Sequence, residues 1–474
     1  MIPTSKFISW KIIGVSVVLA LTLPMLLRDG MFMDAMLYTA VSHNEAHDIG
    51  SFWFPVFSQH GVAGLSTFHE QPPLGFWIQS LFFRVIGDSM YTERIYTLCM
   101  ILLTLFIMGK WWNKMSELKL VAPGMQWVSW IFWMSIPVCF WSYQQNQHEN
   151  TMTLFILLAG YFLFLAMEEK NKVWFHVILG GIMVMLATLT KGIPGLFPLG
   201  IPMIHWMIFR KTSFWKMMGF SILATLVVGM IYLMFILFSE TARESLHIYF
   251  VDRALKRIES LPTVDSHFYI IGRLALELIV PAVLTIMLYF SFRKQQMERK
   301  KSSFSYFLFF FFVGLSGSLP LMITLVQKGF YFVPSLPFFA IAFALLINEN
   351  LAKWITSLSE KAGKRIFVFS AVLLLAVLTV SFLQIGKYAR DEEVLQDVAT
   401  IGKLIPEHET VGMDEDLWND WRLQTYLMRY HFIHCDTKTN HQYYIRPNTR
   451  PAAPDSSFVQ ADVPMKAYLL YQKK

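Results

Sequence analysis

From Met217 to Ser239 the chain reads MMGFSILATLVVGMIYLMFILFS, 23 residues without a charge. As a helix this stretch rises about 35 Å, enough to cross the roughly 30 Å hydrocarbon core of a bilayer. Apolar on every side, it requires lipid as its solvent. Ten further stretches read the same way, approximately Phe7 to Leu27, Ile95 to Trp112, Val121 to Tyr143, Thr151 to Met167, Val173 to Thr190, Ile193 to Phe209, Phe268 to Phe292, Ser303 to Val326, Phe330 to Ile347 and Ile366 to Ile385. The expected fold is an all-α polytopic membrane protein of about 11 transmembrane helices. Its first span has Lys6 and Lys11 on its flank and runs into Arg28-Asp29 without a small-residue cleavage site, so it reads as a retained anchor.

Composition agrees. Of 474 residues, 55% are hydrophobic, 16% aromatic and 15% charged, against about 25% charged in soluble domains, which excludes a soluble enzyme. The net charge of +7 marks topology. Lys110, Lys114 and Lys119, then Arg210, Lys211 and Lys216, and later Lys361, Lys364 and Arg365 crowd short connections of even number. With a cytoplasmic N-terminus all of these face inward, as the positive-inside rule requires. No basic folded patch remains for a nucleic acid. Three cysteines, Cys99, Cys139 and Cys435, build neither a disulfide framework nor a Cys-rich zinc site.

Two outward connections are unlike simple loops. The first holds more than 60 residues and contains Leu74 to Ile86, apolar but too short to cross and interrupted by Arg84, which predicts a helix lying at the interface. The second, Glu240 to His267, has a similar mixed composition. Beyond Tyr388 the acidic Asp391-Glu392-Glu393 opens a predicted helix to Leu404, and Ala467 to Tyr471 reads as a strand. The expected organisation is a transmembrane domain over residues 1–387 and a small extracytoplasmic α/β domain over residues 388–474.

Ionisable groups near membrane depth cost several kcal/mol unless paired or hydrated, so their positions are informative. Under this topology Asp34, Glu70, Glu149, Lys191 and Lys328 come from five separate loops and fall on the outward side. Taken singly, Asp34 and Glu149 serve equally well as helix caps, and the two lysines as snorkelling ends. Snorkelling lysines, however, prefer the inner face, and all five residues share the other one. Arg273 and Glu277, four apart in one span, read as a structural ion pair. His267 is either simply hydrogen-bonded or a metal ligand with Glu70.

These segments resemble the GT-C integral-membrane glycosyltransferases, in the branch of the bacterial aminoarabinose (lipid A) transferases and the dolichyl-phosphate-mannose protein mannosyltransferases. The similarity rests on Asp34 to Tyr38, on Phe68 to Trp77 with its Glu70-Gln71-Pro72-Pro73, on Arg94, on Glu149-x-x-Met152-x-x-Phe155, on Thr190 to Gly195 and on Lys328 to Pro337, in the family's order and over about residues 1–345. Gln71 stands where the family has Lys, and Glu149 where it has Asp.

The resemblance implies a polyprenyl-phosphate-linked sugar as donor and a hydroxyl or phosphate acceptor on a glycolipid such as lipid A, a glycan or a protein. It places the active site on the periplasmic face of the cytoplasmic membrane. Transfer then needs a base for the acceptor, cations for the leaving phosphate and a groove for the isoprenoid. Asp34 is assigned as general base, with an apolar setting expected to raise its pKa, and direct attack inverts the anomeric carbon. Lys191, Lys328, Arg94, Arg253 and Arg257 are assigned to the phosphate. Glu70 and Glu149 orient the acceptor or support a divalent metal, with His267 as a further ligand; Tyr38, Trp77 and Tyr331 contact substrate. The rival expectation is a lipid-linked sugar flippase or secondary transporter, which would place charges at the span centres in two related halves. Those centres are nearly free of charge, and no repeat relates the halves.

Overall fold

The computed structural model describes residues 5–60, 67–255, 262–292 and 301–474. Among these, nine helices are long and apolar enough to cross a bilayer. They are α1 (Ser5–Leu26), α4 (Thr92–Glu117), α7 (His148–Glu168), α8 (Val173–Lys191), α10 (Phe214–Phe238), α12 (Tyr269–Ser291), α13 (Lys301–Ser318, continued by a 3-10 turn to Ile323), α14 (Leu336–Ser357) and α15 (Glu360–Phe382). Each matches one of the eleven expected spans.

The other two spans are interrupted, and proline is the cause of both breaks. The Val121 to Tyr143 stretch is split into α5 (Gln126–Met134) and α6 (Pro137–Ser142). Pro137 has no N–H to continue the helix and holds Ile136 extended. The next N–H, that of Val138, donates to Glu277 Oε2 at 2.8 Å, while Arg273 donates to the other carboxylate oxygen at 2.6 Å. The expected Arg273–Glu277 ion pair thus exists and also caps the interrupted helix, which is how a broken segment is satisfied at membrane depth. The Ile193 to Phe209 stretch, with Pro194, Pro198 and Pro202, is a 3-10 segment to Gly200 followed by the short α9 (Ile201–Phe209).

Packing divides the chain into two compact units. The first comprises Met1–Leu26, Thr97–Gln144 and His148–Gln384; the second comprises Leu27–Tyr96, Gln145–Gln147 and Ile385–Lys474. The expected boundary at residue 387 lies close to the 384/385 crossing, but the second unit also takes in the long first connection.

That second unit contains α2 (Met33–Ala46) and α3 (Leu74–Ile86), then α16 (Glu392–Leu404), α17 (Glu415–Asn419) and α18 (Trp421–His431). Five short strands, β1 (Thr410–Met413), β2 (His434–Asp436), β3 (Tyr443–Pro447), β4 (Phe458–Gln460) and β5 (Tyr468–Lys473), form one sheet in the order β2-β1-β3-β5-β4. β1 runs parallel to β2 and β3, with Val411 opposite Cys435, and β5 runs antiparallel to β3 and β4, with Ile445 opposite Leu470. Met31, Ala35 and Met36 are buried in one cluster with Val398, Val411, Leu427 and Ile445. The start of α2 is therefore part of the hydrophobic core of the C-terminal sheet.

Candidate active site

In the second unit, Asp34 lies in the first turn of α2, where a carboxylate is favoured by the exposed N–H groups. It is half-buried and, among the described residues, makes no hydrogen bond or ion pair. One turn further along the same face, the buried Tyr38 hydroxyl accepts from Gln71 Nε2 at 3.3 Å, and its ring stands edge-on to Phe76. Pro72 and Pro73 end the irregular backbone carrying half-buried Glu70 and start α3, whose buried face includes Phe76, Gln79 and Phe83. Trp77 lies on the other face of α3, 41% exposed beside Leu81 and Val85, the apolar outer surface expected of an interfacial helix.

Arg94 is buried in this unit, 3.7 Å from Asp29, whose carboxylate also accepts from the Tyr430 hydroxyl and the Gly30 N–H. Residues 145–147 run as a strap along α2. Gln145 accepts from the Phe32 N–H at 2.7 Å, and Asn146 donates to Thr39 Oγ1 at 2.7 Å.

In the first unit, Glu149 occupies the first turn of α7 and Lys191 the last turn of α8, each at the end its charge favours. The two form a buried ion pair. Gly192 terminates α8 at φ +83°, and a side chain there would collide with the Tyr249 hydroxyl, so glycine is required both by backbone and by space. The segment after α10 thereby closes over the Lys191 turn through α11 (Glu240–His247) and a wider turn, Ile248–Leu255, that holds Tyr249 and the half-buried Arg253. Arg257 lies outside the described residues.

Lys328 is exposed at the start of the Gly329–Phe332 turn, with its ammonium 5.7 Å from the Phe330 ring and no carboxylate in pairing range among the described residues. Tyr331 follows, half-buried, its N–H bonded to the Lys328 carbonyl.

His267 donates from Nδ1 to the Met322 carbonyl at 2.7 Å. That bond leaves Nε2 as the lone-pair nitrogen, the tautomer a metal ligand needs. A different cluster was not foreseen. His43, His47 and Asp88 hold three candidate ligand atoms within 4.8 Å of one another. Asp88 already accepts from Arg429 at 2.8 Å and lies 2.8 Å from His43 Nε2, so the cluster is knitted into an ion-pair network with Glu93. Burial pushes the His43 imidazole down to about 4, ahead of the opposing bond to Asp88. The neighbouring Glu45 carboxyl is raised to about 7 by burial, with Arg84 working against it.

The strap and the Tyr38–Gln71 bond also went unforeseen. The signal for the strap lies in Gln144 to Asn150, seven consecutive polar residues between apolar stretches. Nothing local in that run reveals its long-range partners.

Residues 70–238 match the sequence profile of the dolichyl-phosphate-mannose-protein mannosyltransferase family. Among solved structures, ArnT from Cupriavidus metallidurans bound to undecaprenyl phosphate superposes with a TM-score of 0.66 over 97% of both chains at 13% identity. The apo state of the same protein gives 0.64 at 12% identity, over 98% of this chain and 97% of that one. No curated protein sequence matches. The fold resemblance drawn from the motifs is borne out, with the small C-terminal sheet included in the overlap.

Proposed function

We propose that this chain is an inverting glycosyltransferase that moves a sugar from a polyprenyl-phosphate donor to a hydroxyl acceptor at the outer face of the cytoplasmic membrane, its N-terminus cytoplasmic. One observation carries the reading. Asp34 is a carboxylate held in the first turn of a buried helix, half shielded from water and with no partner among the described residues to engage its lone pairs. The first turn of the helix favours the ionised carboxylate, and the absence of a partner leaves the lone pair that a general base must keep for an incoming proton.

The fold shared with ArnT, a protein crystallised with undecaprenyl phosphate, supports a lipid-linked donor. The match of residues 70–238 to a mannosyltransferase family supports glycosyl transfer. Asp34 takes the proton of the acceptor hydroxyl as its oxygen attacks the anomeric carbon, and the phosphate leaves with the bonding electrons. Lys328 is the exposed cation for that phosphate. Lys191 carries its charge already balanced by Glu149 and serves the phosphate only by sharing it. A divalent cation held by Glu70 would supply charge neutralisation at the phosphate.

Purified protein in proteoliposomes, supplied with undecaprenyl-phosphate sugars and an envelope lipid extract, tests this reading. Covalent transfer detected by mass spectrometry, and lost in Asp34→Asn, is expected. Movement of the lipid-linked sugar between leaflets with no covalent product would replace the transferase by a carrier.

A further inference from the structure

Gln147 is 1% exposed, and neither its Nε2 nor its Oε1 has a hydrogen-bond partner among the described residues. The Oδ1 of adjacent Asn146 is likewise buried without one. A buried amide left in this state costs roughly 1–3 kcal/mol for each unmet group, so native chains retain it where something else supplies the bonds. Its position is defined by the strap. Gln145 and Asn146 are tied to Phe32, at the N-cap of α2, and to Thr39 within it, seven residues further on, a rise of about 10 Å. Asp34 lies between these two anchors, and Gln147 follows directly after the second.

The chemistry of the missing partner is restricted. A phosphate or carboxylate satisfies Nε2 and leaves Oε1 unmet, whereas an ammonium does the reverse. An isoprenoid satisfies neither. Adjacent hydroxyls on a sugar ring donate to one atom and accept from the other, and Asn146 Oδ1 takes a third bond.

We infer that Gln147, assisted by Asn146, binds the hydroxyls of the transferred sugar, and that this sugar is neutral with at least two adjacent hydroxyls. The inference deepens the transferase reading and rests on it for the source of the sugar. Gln147 is a binding residue. It sets which sugar is accepted and leaves the proton transfer to Asp34.

The test is a binding measurement on the full-length protein in lipid nanodiscs, by calorimetry. Bare undecaprenyl phosphate is compared with undecaprenyl-phosphate mannose, glucose, galactose and arabinose. At least one sugar is expected to tighten binding tenfold or more over the bare lipid. Gln147→Met should bring that ratio to about one while leaving bare-lipid affinity unchanged and Tm equal to or above the wild-type value, since an unmet buried amide is removed, and Gln147→Glu should retain part of it. Deoxy versions of the preferred donor, measured on wild-type protein, should lose tenfold or more, a result independent of whether any variant folds. The inference is overturned if no sugar improves on the bare lipid, if every deoxy donor binds as well as its parent, or if Gln147→Met keeps the full ratio, as it would with only a buried water on the amide.

Transfer is assayed in the same samples. A Gln147-dependent sugar contribution without covalent transfer would sink the transferase reading and leave the binding site standing. Transfer indifferent to Gln147 would do the opposite.

Discussion

The Lys191 ammonium lies 2.9 Å from the Glu149 carboxylate, with 8% and 1% of the two side chains exposed. Sequence reasoning assigned one to the donor phosphate and the other to the acceptor or a metal; the fold makes them each other's counterion. Breaking a buried pair strands a charge and typically costs about 3–5 kcal/mol, far more than removing both partners together. Lys191→Met should therefore lower Tm strongly, and Lys191→Met with Glu149→Gln should recover most of the loss. Thermal unfolding of the four proteins gives the coupling. A value under about 0.5 kcal/mol would mean that the pair contributes nothing.

Asp34→Asn is expected to reduce turnover about 100- to 10,000-fold, the usual contribution of a general base. Stability should hardly change, because no bond to Asp34 is lost among the described residues. A variant that turns over at more than a tenth of the wild-type rate, at equal donor occupancy, would remove Asp34 from the mechanism.

Glu45 and His43 make opposite contributions to the pH dependence of the second unit. Folded Glu45 keeps its proton up to about pH 7, whereas the unfolded chain releases it near 4.5. Its contribution is thus fully present below pH 4.5 and is lost as pH rises to 7. His43 is lowered to about 4 from 6.5, so its contribution is present above pH 6.5 and lost as pH falls toward 4. Glu45→Gln should match wild type in Tm near pH 4.5 and exceed it by pH 7.5, with a difference on the order of 3 kcal/mol. Parallel Tm curves across that range would contradict the burial of an ionisable Glu45.

Arg429 tests the dependence of the first connection on the C-terminal segment. It is 1% exposed and donates to Glu93 at 2.9 Å and Asp88 at 2.8 Å. Arg429→Met leaves the fully buried Glu93 carboxylate without this cation, and a loss of about 3–5 kcal/mol is expected. Limited proteolysis should then cut both the loop near Asp88 and the C-terminal sheet. Cleavage confined to the sheet would show that the two regions fold separately.

Much of the fold was legible in advance because hydropathy is a local sum: about 20 apolar residues demand lipid whatever their partners. Nine expected spans each contain a helix long and apolar enough to cross for that reason, and the two exceptions carry proline where the helix needs an N–H. The short helix at Leu74–Ile86 was equally visible from its length. Site residues were legible only as candidates. Charge scarcity isolated Asp34, Lys191 and Lys328, but nothing local separates the half-buried, unengaged Asp34 and the exposed Lys328 from the buried, paired Lys191.

By itself, then, the sequence determined residence in a membrane, the positions of most spans and the short set of ionisable residues worth attention. Each follows from the solvation cost of individual side chains. The tertiary structure decided what those residues touch. Glu277 caps a helix broken 140 residues earlier, Gln145 and Asn146 strap α2 on either side of Asp34, and Met31, Ala35 and Met36 enter the core of a sheet formed some 400 residues later. Such contacts depend on which distant surfaces meet, and no local periodicity carries that information.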